Sequence, residues 1–224
     1  MGIFRGVRTT QTQANLILDA SSLRSYGGSG NVWYDISGSG HYADIIGSPT
    51  IKILGGAKCF HLDTVGKRFV ARVTNFSTNN LTFEAWIFPQ DEISSGDRGC
   101  IIQGSAYLSW NKSNQRLSSY WYSTNNQGYH EPSLQMNRNE WHHMVGVWNE
   151  TDGRLYQYIN GNLENTVSTV ASSGAYYNDM NIGWEGDGRQ FSGGISVIKI
   201  YNAALSGAEV LQNYNSQKSR FGRF

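Results

Sequence analysis

Residues 81–88 read Leu-Thr-Phe-Glu-Ala-Trp-Ile-Phe. In extended backbone successive side chains point to opposite faces, so Leu81, Phe83, Ala85 and Ile87 line one face while Trp86 and Phe88 stand on the other. Aromatics on both faces mark a middle strand of a sheet. Comparable runs recur at intervals of roughly ten to twenty residues, each closed by Gly, Asn, Asp or Ser, at 15–20, 58–63, 69–72, 100–104, 107–111, 116–122, 141–149, 154–159, 163–167, 180–184 and 191–201. Gly, Ser and Asn supply 71 of the 224 residues and aromatics 29. Many short strands, many turns and much aromatic volume predict an all-β sandwich of two antiparallel sheets.

Two local signals add detail. Asn160-Gly161 between alternating runs predicts a hairpin, because both central residues of a type I′ turn need positive φ. Ser206 followed by Glu209, then Val210, Leu211 and Tyr214, is a capping box opening one short C-terminal helix. The folded domain spans 15–214. Residues 1–14 form a polar arm, and 215–224 a basic tail ending Arg220-Phe221-Gly222-Arg223-Phe224. Neither end has an apolar period of its own, so both are expected to become ordered on a partner, leaving the melting of the isolated domain unchanged when they are removed.

Composition excludes some functions. Eighteen Lys and Arg against 17 Asp and Glu leave no charge excess to hold a nucleic-acid backbone or an anionic membrane. The first fifteen residues hold no apolar run of signal-peptide length, and no stretch reaches the ~18 apolar residues of a membrane span, so the chain is expected to be soluble and not exported. Cys59 and Cys100 are too few for a disulfide framework, and whether they pair is left open. Four Asn-x-Ser/Thr sites, at Asn75, Asn80, Asn111 and Asn149, are about what chance supplies.

Three blocks carry a family resemblance. The first runs from Leu16-Ile17-Leu18-Asp19-Ala20 through Ser25-Tyr26-Gly27-Gly28-Ser29-Gly30 to Trp33-Tyr34-Asp35-Ile36-Ser37-Gly38-Ser39-Gly40. The second joins residues 81–87 to Glu140-Trp141-His142-His143-Met144-Val145 and Tyr158-Ile159-Asn160-Gly161. The third is 191–206 with Glu209, Val210, Asn213 and Tyr214. Together they resemble the concanavalin A-like, or laminin G-like, jelly-roll domains, especially those of bacteriophage and marine viral structural proteins.

The resemblance implies a non-enzymatic virion structural protein of a tailed phage. Such a protein would decorate or cement the capsid surface, bound to the major capsid protein or another virion protein as a homotrimer, and be assembled in the host cytoplasm. The alternative is a carbohydrate-binding adhesin or tail-fibre module that recognises host glycans. A secreted hydrolase is the third reading. Trp86 and Trp141, large aromatics on alternating strands, are read as filling the space between the sheets. The resemblance also implies calcium at the sandwich rim in some relatives. Asp35, Asp179 and Asp187 are the candidate ligands, but each also reads as an ordinary turn aspartate, so no metal or cofactor is assigned.

Chemistry is sparse elsewhere. Adjacent His142 and His143 point to opposite faces of a strand and cannot share an ion, and His41, His61 and His130 have no paired spacing. No G-x-S-x-G elbow is present. The stretch Ser119-Tyr120-Trp121-Tyr122-Ser123-Thr124-Asn125-Asn126-Gln127-Gly128-Tyr129-His130 mixes aromatic faces with amides, a composition suited to sugar rings, to a protein interface, or to a loop beside a core Trp121.

Sugar-cleaving relatives place three acids on one strand in the pattern E-x-D-x-x-E. Here Glu150-Thr151-Asp152-Gly153-Arg154-Leu155 and Glu185-Gly186-Asp187-Gly188-Arg189-Gln190 each lack the third, and each Asp-Gly reads as a turn. The purified protein should therefore release no reducing sugar from β-glucans. Release that disappears in Glu150→Gln or Glu185→Gln would show the acid reading to be wrong.

Overall fold

A computed structural model of the protein describes residues 14–74, 76, 80–90, 96–104, 106–121, 128–168, 179–184, 186 and 188–223. Sixteen strands lie among these residues, in two antiparallel sheets. Sheet one has the order β14 (Asn162–Ser168), β13 (Arg154–Ile159), β12 (His142–Asn149), β7 (Asn80–Pro89), β16 (Gly193–Tyr201), β5 (Ala57–Leu62) and β4 (Thr50–Leu54), with β1 (Ala14–Asp19) also paired to β16. Sheet two has the order β11 (Gly128–His130), β10 (Arg116–Trp121), β9 (Ala106–Asn111), β8 (Arg98–Gln103), β15 (Asp179–Ile182), β6 (Arg68–Arg72), β3 (Tyr42–Ile46) and β2 (Val32–Tyr34). The all-β, two-sheet antiparallel sandwich expected from the sequence is the fold observed.

The alternation in β7 decides the layering. Leu81, Phe83, Ala85 and Ile87 enter the core between the sheets, meeting Trp33, Phe69, Leu108 and Trp110 of sheet two. Trp86 and Phe88 face the other way, and there the expectation for Trp86 and Trp141 needs correcting. Both tryptophans lie on the outer side of sheet one, in a separate cluster with Ala57, Cys59, Phe88, Val197 and Phe221. β7 and β16 are therefore buried on both faces, as a middle position requires. A register shift between Ile195 and Val197 turns Val197 outward while Ile195 and Ile198 stay in the core.

What covers the outer side is the C-terminal end of the chain. Helix α1 (Gly207–Gln217) begins at the predicted cap, where Glu209 N donates to Ser206 Oγ at 3.3 Å and Ser206 N donates to Glu209 Oε2 at 2.8 Å. It continues into a 3-10 turn, Lys218–Phe221, closed by Gly222 in the left-handed region. Phe221 is buried and stacks on Trp86 at 4.0 Å between centroids, with Trp141 4.9 Å away. Arg220 pairs with Asp19 at 2.7 Å, and Arg223 donates to the Trp141 carbonyl at 2.6 Å. The expectation of a tail waiting for a partner is thus overturned for residues 215–223. Its aromatic anchor fills a pocket on its own domain, one that sequence periodicity cannot reveal because the pocket lies on strands far away in the chain. The N-terminal arm lies outside the described residues except Ala14, which opens β1.

Turn chemistry follows the sequence. Asn160 and Gly161 have φ of 51° and 81° between β13 and β14, the predicted hairpin. At Gly193, φ is 130° and an added Cβ would lie 2.1 Å from the Phe88 carbonyl oxygen, so only glycine lets β16 approach β7 there. Strands β2, β3, β4 and β11 were not expected. Three of them are sheet edges and all are short, held by their neighbours rather than by a period of their own.

Two stability predictions follow. Phe221→Ala removes a buried ring and should cost about 3 kcal/mol, lowering the melting temperature by about 10 °C. An unchanged melting curve would mean the tail is not docked. His142 is the second case. Burial pushes its pKa down to about 4 from the ordinary 6.5, against the Asn137 hydrogen bond and with help from nearby Arg223. A folded-state pKa below the unfolded one contributes stability that is present above pH 6.5 and lost as pH falls toward 4, on a scale of about 3 kcal/mol. The urea midpoint should fall between pH 6.5 and 4.5, and His142→Gln should flatten that limb. A variant as acid-sensitive as the wild type would contradict this.

Candidate functional site

Sheet two differs from sheet one in its outer face. In β9, Ala106, Leu108 and Trp110 point into the core, so Tyr107, Ser109 and Asn111 point outward. Register carries that outward position across the whole sheet. Tyr129 lies opposite Tyr120, Tyr120 opposite Tyr107, Tyr107 opposite Gln103, Gln103 opposite Asn181, Asn181 opposite Val70, Val70 opposite Asp44, and Asp44 opposite Val32. With about 4.8 Å between neighbouring strands, this row of eight residues spans about 34 Å across the strands.

Two of its segments are chemically distinct. At one end, Tyr107, Tyr120 and Tyr129 cluster, with centroids 5.5 Å apart for 107 and 120 and 5.1 Å for 120 and 129, inclined at 84° and 55°. In the middle, Asn181 Nδ2 donates to Gln103 Oε1 at 3.1 Å, and Gln103 Nε2 donates to the Tyr107 hydroxyl at 3.1 Å. The next row toward the β2 edge places Tyr42 opposite Tyr34, 40% and 57% exposed. The face is thus an amide chain between two groups of tyrosines.

Charges on this face are paired. Arg72 bridges Asp44, at 2.9 Å, and Asp179. The Arg98 guanidinium lies 4.1 Å above the Tyr129 ring and pairs with Asp97 at 2.5 Å and Glu131 at 3.2 Å. Burial alone would raise the Glu131 pKa. Hydrogen bonds from Asn111 at 2.7 Å and Asn114 at 2.6 Å, helped by Ser118 and Arg98, outweigh it and hold the carboxyl below its usual range. Arg189 Nη1 donates to the Tyr129 hydroxyl at 3.1 Å. Tyr107 is buried and Tyr120 and Tyr129 are half-buried, so the surface offers parts of two tyrosine rings beside hydrogen-bonding amides, suited to a polyhydroxylated ligand.

The residues singled out in the sequence divide as follows. Tyr120, Tyr129 and Ser119 belong to this hairpin region. The Trp121 side chain and residues 122–127 lie outside the described residues. Asp35 latches its own turn, accepting from the backbone N–H of Ile17 and of Ser37 at 2.8 Å each and from the Ser37 hydroxyl at 2.6 Å. Asp179 is held by Arg72, and Asp187, like Glu185, lies outside the described residues. Among the described residues no cluster of three or more His, Cys, Asp and Glu is arranged to hold a metal ion. Glu150 and Asp152 sit in the turn between β12 and β13, where Asp152 accepts from Tyr156 at 2.6 Å, so no strand aims them into a groove. His142 and His143 point to opposite faces, the latter toward Glu84 beneath α1. Cys59 and Cys100 are fully buried and not joined by a disulfide, and burial pushes the Cys59 thiol up to about 12. Sequence reading missed Tyr107, Gln103, Asn181, Arg98 and Glu131. Tyr107, Gln103 and Asn181 come from three strands, Arg98 shares β8 with Gln103, and Glu131 follows β11, so only register brings them together.

The fold recurs in solved structures. The binding domain of Paraclostridial Mosquitocidal Protein 1 superposes with a TM-score of 0.74 at 17% identity, covering 95% of this chain and 56% of that one. The botulinum neurotoxin serotype D binding domain gives 0.68 at 16%, covering 92% and 52%. The serotype D ligand binding domain in complex with N-acetylneuraminic acid gives 0.67 at 17%, covering 92% and 52%. The chain spans little more than half of each, and at these identities the likeness is one of fold. Among curated proteins none matches in sequence. The model of the concanavalin A-like lectin/glucanases superfamily matches residues 64–211, about two thirds of the chain. With that match and the sandwich that carries it, the chain belongs to the concanavalin A-like lectin/glucanases superfamily.

Proposed function

We propose that this protein is a non-catalytic carbohydrate-binding module whose ligand lies across the outer face of sheet two. The observation that carries the reading is the hydrogen-bonded side-chain row Asn181–Gln103–Tyr107 continuing into the Tyr120 and Tyr129 rings. Tyrosine planes fit the C–H faces of pyranose rings, and amides fixed by their neighbours meet hydroxyls at low entropic cost. Solved relatives of this fold are binding domains, one of them in complex with N-acetylneuraminic acid. That one complex supports the reading by analogy of fold.

The decoration role on a virion, with the major capsid protein as partner and a homotrimeric arrangement, drew partly on two termini looking for a pocket. The C-terminal one is engaged by sheet one, which removes one support of that role, and a sugar-binding module is the reading we retain.

A glycan array probed with the purified protein should show retained saccharides. Tyr120→Ala and Gln103→Ala should each weaken the signal about tenfold or more, with melting temperatures near that of the wild type. A wild-type protein that binds nothing on the array, or variants that bind as well as it does, would overturn the proposal.

A further inference from the structure

Beneath α1, side chains from β7, β12, β16 and the helix meet out of reach of solvent. Glu84, His143, Tyr201 and Asn213 are each 0% exposed and Lys199 1%. The two oxygens of one carboxylate organise them. Glu84 Oε1 accepts from Lys199 Nζ at 2.7 Å, with His143 Nε2 3.1 Å away. Glu84 Oε2 accepts from Asn213 Nδ2 at 2.8 Å and from the Tyr201 hydroxyl at 3.2 Å. Asn213 Nδ2 also donates to the Tyr201 oxygen at 2.9 Å. The rings of Trp86 and Tyr214 close the site over His143, with centroids 5.1 and 5.7 Å from the imidazole.

Burying a lysine–glutamate pair this completely is expensive, and apolar replacements of such pairs are often neutral or stabilising. The set also has a chemical meaning that an ion pair alone does not need. A primary amine, a primary carboxamide and a carboxylate touching both are a nucleophile, an acyl donor and a proton shuttle, held together without competing water.

We propose that Lys199 and Asn213 condense into an internal amide cross-link that joins α1 covalently to β16. The Lys199 ammonium gives one proton to Glu84, and the freed amine pair attacks Asn213 Cγ, forming the new C–N bond as the carbonyl electrons move onto Oδ1. Glu84 returns its proton to Nδ2 and takes one from the attacking nitrogen. The carbonyl re-forms, the Cγ–Nδ2 bond breaks with its electron pair on the leaving nitrogen, and ammonia departs, carrying the last proton as ammonium. Glu84 is a carboxylate again and nothing is oxidised or reduced. Tyr201 stands beside the carboxamide. Burial and the adjacent Glu84 keep its phenol protonated, and its hydroxyl, donating to Glu84 Oε2 and accepting from Asn213 Nδ2, holds the carboxylate against the leaving nitrogen.

Intact-mass measurement of the purified, denatured protein tests this. The wild type should weigh about 17 Da, one ammonia, less than its sequence predicts. Lys199→Arg keeps a cation beside Glu84 but removes the primary amine, and Glu84→Gln removes the shuttle. Both should return to the full sequence mass. Digestion with trypsin and a glutamyl endopeptidase locates the bond, because cleavage after Glu209 leaves 190–209 and 210–218 joined only through Lys199 and Asn213. If the variants do not fold, the wild-type digest decides alone. A wild type at full mass with cleavage after Lys199, or a loss of ammonia that maps to Asn160–Gly161 as a cyclic imide, would overturn the proposal.

Discussion

Sheet one is apolar on both faces, and that condition governs the rest of the molecule. The second sheet can cover only one of them. The other presents Trp86, Phe88, Trp141, Val145, Val147 and Val197, an area of side chain that water would not tolerate. Helix α1 and the 3-10 turn behind it answer that demand. Val210 and Leu205 close one outer cluster, while Phe221 closes the other by stacking on Trp86. The charged group that sits inside this cover, Glu84, is accommodated because each of its oxygens has a donor within reach.

Legibility in the sequence followed the range of the interactions. β7 could be read from its own eight residues, since alternation is a property of neighbours. The Asn160–Gly161 turn and the Ser206 cap were legible for the same reason. The placement of Trp86 and Trp141 was not. Alternation says that two faces exist, but not which one meets the second sheet, and only the packing of Phe83 and Ile87 with sheet two and of Trp86 with Phe221 settles that. The docking of the tail is illegible on similar grounds, because Phe221 finds its pocket on residues far from it in the chain.

The candidate site shows the same limit more sharply. Tyr120 and Tyr129 stood out because aromatics and amides are concentrated in one stretch. Tyr107, Gln103 and Asn181 had no such signal, being single residues of three strands, the last of them far along the chain. A bulge between Cys100 and Ile102 shifts the register of β8 against β9, and it is this shift that sets Gln103 opposite Tyr107.

The pairing of β1 with β16, and of Arg220 with Asp19 at the end of β1, brings both ends of the described chain to sheet one. Ala14 belongs to one outer cluster of that sheet, and Arg223 grips the Trp141 carbonyl beside the other. The tyrosine and amide row lies on the opposite side of the sandwich. Ala14 and Arg223 thus both stand on the side of the sandwich away from the row, and neither narrows the approach to it.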